Sequence, residues 1–278
     1  WAPVIFQVSR LMVKLGILAL LRDEDMTIEQ LQERTGLSRY ALKILLEASL
    51  SAGTVLIDAD TDKYSISKTG WFLLTDEATQ ANMNLNHDVN YRGMFYLEES
   101  LKEGRPVGLK TLGDWPTIYE GLSQLSPQVQ KSWFGFDHFY SDHSFDEALE
   151  IVFSKHTRRL MDVGGNTGRF ALRCVDYAPD VNVTIVDLPG QIGMMKKNIE
   201  GNNGAERISA FPMNVLDERN SFPEGEWDAI WMSQFLDCFS EDEIFSILSR
   251  AAKVMSKNTT LYIMETFWNR QKYEPASL

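Results

Sequence analysis

The sequence predicts an α/β protein, a doubly wound parallel sheet preceded by a mainly helical domain of winged-helix outline. Three observations predict it. From residue 159 onward, short apolar runs of strand length alternate with helical patterns, which is the signature of parallel strands joined by crossover helices. The first run ends in a glycine-rich turn, Asp162-Val163-Gly164-Gly165-Asn166-Thr167-Gly168. Before residue 86, helix start signals are followed by two short segments of strand character. The chain therefore divides into residues 1–85, a helical connector 86–158, and the sheet domain 159–278.

Val4, Val8, Leu11, Leu15 and Leu18 recur at steps of four and three and draw one apolar stripe along a first helix. Thr27 followed by Gln30 is a capping box that opens a helix to Thr35, Gly36 closes it, and Ser38 caps the next helix through Leu50. Val55-Leu56-Ile57 and Tyr64-Ser65-Ile66 then flank an acidic tip as two strands. A winged helix commonly binds DNA, but here the second helix offers only Arg39 and Lys43 against Glu47, and the wing carries Asp58, Asp60 and Asp62. Those acids repel a phosphate backbone, so a transcription regulator is the runner-up reading. In the connector, Trp115, Trp133, Phe134, Phe136, Phe139 and Tyr140 read chiefly as packing residues.

The five strands of the sheet domain end at Asp162, Asp187, Pro212, Met232 and Glu265. A ligand of such a sheet lies at the carboxyl ends of its strands, where Asp162, Asp187, Asn214, Ser233 and Glu265 all fall. Asp187 stands 23 positions after Gly164, close to the offset of about 20 at which a carboxylate grips ribose hydroxyls. A dinucleotide would place its pyrophosphate on the glycine turn and want no negative charge there. Asp162 repels such a group and attracts the ammonium and sulfonium of S-adenosylmethionine, which the residues favour over a dinucleotide.

Composition narrows the partners. A net charge of −12 and a pI near 4.9 disfavour polyanions, since phosphate contacts need clustered Lys and Arg. The longest apolar run, residues 11–21, contains Lys14 and Gly16 and falls short of the ~18 residues that span a bilayer. No membrane partner is expected. Cys174 and Cys238, each inside an apolar segment, fit buried thiols of a reducing compartment, so the expected location is cytoplasmic. Neither they nor the four His show metal-ligand spacing, and no metal is expected. The chain opens on Trp1 within a helical pattern, so residues are expected to precede it.

With the glycine motif, the segment from Asp228 to Glu243, Asp-Ala-Ile-Trp-Met-Ser-Gln-Phe-Leu-Asp-Cys-Phe-Ser-Glu-Asp-Glu, resembles the small-molecule O-methyltransferases of the plant caffeate and bacterial type. The resemblance covers most of the chain. It implies a class I methyltransferase sheet, S-adenosylmethionine as methyl donor, a small hydroxylated acceptor, and an N-terminal domain that forms a homodimer. It also implies site roles. Gly164, Gly165 and Gly168 would surround the methionine part, Asp187 the ribose and Leu188 the adenine border; Met213, Asn214 and Val215 stand in the cofactor-binding segment whose Asp meets the adenine amino group in the family, with Asn214 at that Asp and its carbonyl as the acceptor. Residues 134–143 would wall the acceptor pocket. A further helix and strand pair would follow the fifth strand, so the native chain is expected to continue beyond Leu278.

Two positions depart from the family. Its Lys near the cofactor falls on Ser233, and its catalytic His falls on Asp237. An ordinary aspartate has a pKa near 3.9, against about 6.5 for His and about 10 for a phenol, so it is a weak base for this work. Glu265 matches the carboxylate that supports the family His. Burial in the apolar turn and a proton shared with Glu265 are the expected ways for Asp237 to serve as base. His138 and His143 are the next candidates, and a repurposed member that binds the cofactor without methylating is the alternative.

Overall fold

A computed structural model describes residues 1–267 and residue 270. The rest of the expected third segment, 268–269 and 271–278, lies outside the described residues. The chain forms two compact units, one of Trp1–Met94 with Lys131–Phe139, the other of Phe95–Gln130 with the chain from Tyr140 on. The stretch expected as a connector, 86–158, is thus shared between them.

In the first unit the single N-terminal helix expected from residues 4–18 is instead two, Ala2–Lys14 and Ile17–Asp23, bent by 61°. Gly16 causes the break, because its φ of +74° stops the helix in a conformation that side chains disfavour. The stripe therefore divides. Val8, Ile17 and Leu18 enter the core with Met12, Leu31, Leu42, Leu46 and Val55, while Val4 and Leu15 stay exposed. The capping box is present: the Thr27 N–H donates to Gln30 Oε1 at 2.8 Å and the Gln30 N–H to Thr27 Oγ1 at 3.4 Å. It opens the helix Ile28–Thr35, and Ser38 opens Arg39–Ser51. Strands β1 (Val55–Asp58) and β2 (Lys63–Ile66) then pair antiparallel. The acidic tip has a local cause, since Asp58 Oδ1 accepts from the N–H groups of Asp60 and Thr61 and so closes the turn.

The second unit holds the parallel sheet. Strands β3 (Arg159–Val163), β4 (Asn182–Asp187), β5 (Ile208–Pro212), β6 (Ala229–Ser233) and β7 (Thr260–Met264) lie in the order β5-β4-β3-β6-β7. Helices bury both faces. On one, Leu160, Val183, Ile185 and Trp231 pack with Phe145, Leu149, Phe170 and Cys174, and the Phe170 ring stacks on Trp231 at 4.6 Å. On the other, Met161, Val163, Val186, Ile230 and Met232 pack with Phe222, Trp227 and Ile247. Strands buried on both faces explain why their sequences run apolar without alternation. The strand order reverses between β3 and β6, so a crevice opens beyond their carboxyl ends.

Candidate functional site

Asp162 closes the crevice from below. It is 3% exposed, and its Oδ2 has no hydrogen-bond partner. Burial, and second the charge of Asp187, push its pKa up to about 7. Directly above lies the glycine turn. A methyl group on Gly165 would come within 2.7 Å of Asp162 Oδ2, and one on Gly164 within 2.4 Å of the Phe235 ring. Gly164 and Gly168 also take positive φ, +75° and +79°, and Asn166 follows at +51°. A non-glycine residue in this region marks strain that the surroundings must hold.

Those holding contacts are explicit. Asp187 Oδ2 accepts from the Asn166 N–H at 2.8 Å, and its Oδ1 accepts from the Leu188 N–H at 2.7 Å. Gln191 donates through Nε2 to Asn166 Oδ1 at 2.9 Å, and Asn198 donates through Nδ2 to the Thr167 carbonyl. The helix Pro189–Ile199 thus clamps the turn with two amide side chains. Gln191 is buried and its Oε1 has no partner. Gln191 and Phe235 carry no signal in the sequence, because nothing local distinguishes a buried amide or a ring folded over a glycine.

The segment after β5 departs from expectation. Met213 and Val215 are buried in the core behind the sheet, Met213 donating its N–H to the Asp187 carbonyl and Val215 offering its carbonyl to Arg250. Asn214 is half-buried, but its Oδ1 already accepts from the Leu216 N–H at 2.9 Å. Its expected readiness for an adenine amino group is therefore reduced to a second lone pair. Leu188 and Ser233 are half-buried.

The other lip of the crevice is the turn after β6. Gln234 has a φ of +46° and donates its N–H to the Met264 carbonyl. Glu265 Oε1 then accepts from the N–H groups of Phe235 at 3.0 Å and Leu236 at 2.8 Å, while its Oε2 is buried without a partner. Burial holds the Glu265 carboxyl above its ordinary range, the two N–H donors oppose that shift, and the charge of Asp237 adds to it. Asp237 itself is exposed in the short helical turn Leu236–Cys238. Its expected burial does not occur: the apolar side chains around it in sequence turn away from it. Glu265 supports the turn through backbone groups, as a fixture of chain geometry.

His138 lies in the first unit, stacked on Phe134 at 5.7 Å, and His143 is exposed in the second. The expected pocket wall 134–143 is divided between the units. Among the described residues, no group of His, Cys, Asp and Glu is arranged to hold a metal ion.

Comparison with known proteins gives two family matches, a Dimerisation2-like domain over residues 1–64 and an O-methyltransferase domain over 118–277, more than half the chain. The chain is 27% identical over 186 residues to a demethylspheroidene O-methyltransferase of Rhodobacter capsulatus, covering 66% of this chain and 45% of that protein. It is 25% identical to the norreticuline-7-O-methyltransferase of Papaver somniferum, covering 83% and 61%. The chain thus spans less than two thirds of the length of either. A similar solved structure is the O-methyltransferase from neocarzinostatin biosynthesis in complex with S-adenosylmethionine and 2-hydroxy-5-methyl naphthoic acid. Its TM-score is 0.70 at 18% identity, over 94% of this chain and 79% of that one.

Proposed function

The chain belongs to the O-methyltransferase family, and on that premise we propose that it transfers methyl from S-adenosylmethionine to a hydroxyl of a small aromatic or conjugated compound. One observation carries the reading. A buried, partnerless carboxylate beneath a glycine cradle, Asp162 under Gly165, suits a cationic ligand and no anionic one. The residues fit the cofactor on that ground.

When bound, S-adenosylmethionine supplies an electrophilic methyl carbon on a positively charged sulfur. Asp162, Gly164, Gly165 and Gly168 would hold its amino-acid part, and Asp187, oriented by the N–H groups of Asn166 and Leu188, would take the ribose hydroxyls. Leu188, Asn214 and Ser233 would border the rest, and Met213 and Val215 act from behind. Alignment of reacting atoms alone can supply several kcal/mol. Asp237, exposed at the crevice lip, would receive the acceptor's proton, and Glu265 keeps its turn in place. An aspartate base works best on an acidic hydroxyl, so the favoured acceptors are conjugated enols or phenols carrying electron-withdrawing groups.

The Dimerisation2-like match supports a homodimer through the N-terminal domain, read as a winged helix turned to subunit contact. The acidic composition speaks against nucleic acid as partner. Among the described residues no single helix is long and apolar enough to cross a membrane. The free, fully buried thiol of Cys174 supports a reducing, cytoplasmic setting.

Transfer of labelled methyl to hydroxylated aromatics of graded acidity tests the reading. Turnover rises with acceptor acidity, and Asp237→Asn loses about 10²- to 10⁴-fold. Full activity in Asp237→Asn removes the base role and turns attention to His138 and His143. Cofactor binding without transfer to any hydroxyl supports a repurposed member.

A further inference from the structure

Tyr119 lies far from the sheet strands in sequence, in the short helix Ile118–Gly121, yet its hydroxyl is 2.9 Å from Cys238 Sγ in the turn that carries Asp237. Cys238 Sγ in turn donates to Asp237 Oδ1 at 3.5 Å. A thiol has one proton and an ionised carboxylate only accepts, so that proton is committed to Asp237 and the Tyr119 hydroxyl is the donor to sulfur. The result is a directed chain, from Tyr119 O–H to Cys238 S–H to the Asp237 carboxylate. A thiol is a weak donor, and donation into its sulfur polarises it and strengthens the second link.

The charges agree with this direction. Burial pushes the Cys238 thiol up to about 12, the Tyr119 hydroxyl draws it down, and the Asp237 carboxylate raises it. Near neutral pH the sulfur keeps its proton and remains a donor. The segment that presents Tyr119 is itself fixed. Thr117 and Glu120 form a capping box, the Thr117 N–H donating to Glu120 Oε2 at 3.0 Å. The Trp115 ring fills the space over Gly113 and Gly121, where a methyl group would meet it at 2.1 and 2.3 Å. Asp237 is exposed, and an exposed carboxylate without side-chain partners samples several rotamers.

We propose that Tyr119 is a positioning residue of the methyl-transfer site, fixing the Asp237 carboxylate through the Cys238 thiol. Glu265 holds the backbone of the turn and Tyr119 its side chain, so acceptor choice depends on an element outside the sheet. The proposal rests on the reading of Asp237 as base.

Alkylation of Cys238 by iodoacetamide between pH 8 and 10, followed by intact mass on the full chain, tests the linkage. Cys174 is fully buried and serves as the internal control. Tyr119→Phe removes the donor that favours the thiolate and slows alkylation by about threefold or more, whereas Asp237→Asn removes the opposing charge and speeds it. Mere loosening of the turn would speed both. In turnover of 4-nitrocatechol, Tyr119→Phe lowers kcat with the KM for S-adenosylmethionine unchanged, and Cys238→Ser, which keeps a donor and an acceptor, stays close to wild type. Wild-type or faster alkylation in Tyr119→Phe overturns the proposal. If that variant is slowed while Asp237→Asn keeps full turnover, the chain stands and the base reading falls.

Discussion

Asp162 is held in a place where water cannot reach one of its oxygens and where a second carboxylate lies close, so it charges only near pH 7. In the unfolded chain an aspartate gives up its proton near 3.9. Between those values the folded state holds the extra proton, and stability without ligand therefore falls as pH rises from about 4 to about 7. At 1.36 kcal/mol per unit the loss is at most roughly 4 kcal/mol. Asp162→Asn should flatten this slope and be the more stable form at pH 8 in urea unfolding, while binding a cationic ligand less well. Equal slopes in the two proteins would contradict the assignment. Gly165→Ala tests the same spot, because the added methyl meets Asp162 and Ile185 below 3.0 Å. A loss of about 1–3 kcal/mol is expected.

The elements at the crevice are a glycine turn clamped from the helix Pro189–Ile199 and the β6 turn clamped from Glu265. Glu265→Ala removes a charged acceptor from two backbone N–H groups, at about 1.5–3 kcal/mol for a bond of that kind, and should lower both stability and turnover. A change under about half a kcal/mol would show the turn to be held by other means. At this scale the sequence was most legible where the signal is local. The capping box at Thr27 and the acid ending β4 stand where their patterns put them, and Asp162 falls one residue before the end of β3. The break at Gly16 is invisible in the sequence pattern because the apolar spacing continues through it. Asp237 is exposed despite its apolar surroundings in sequence, because neighbours in sequence need not be neighbours in space. Tyr119, Gln191 and Phe235 reach the site from remote positions, and no local pattern announces such meetings.

At the scale of the whole molecule, the Dimerisation2-like match over residues 1–64 is what supports the proposed homodimer. Light scattering at micromolar concentration should return twice the chain mass, and a stable monomer would contradict the homodimer. The second unit carries the central claim, that the crevice between β3 and β6 takes a cationic ribonucleoside as methyl donor. Titration calorimetry with S-adenosylmethionine and with its demethylated product tests it most directly. Binding of both with micromolar affinity is predicted, weakened at least tenfold by Asp187→Ala, because that variant removes the ribose acceptor and the clamp on Asn166 together. No heat with either compound, alongside clear binding of NAD, would contradict it.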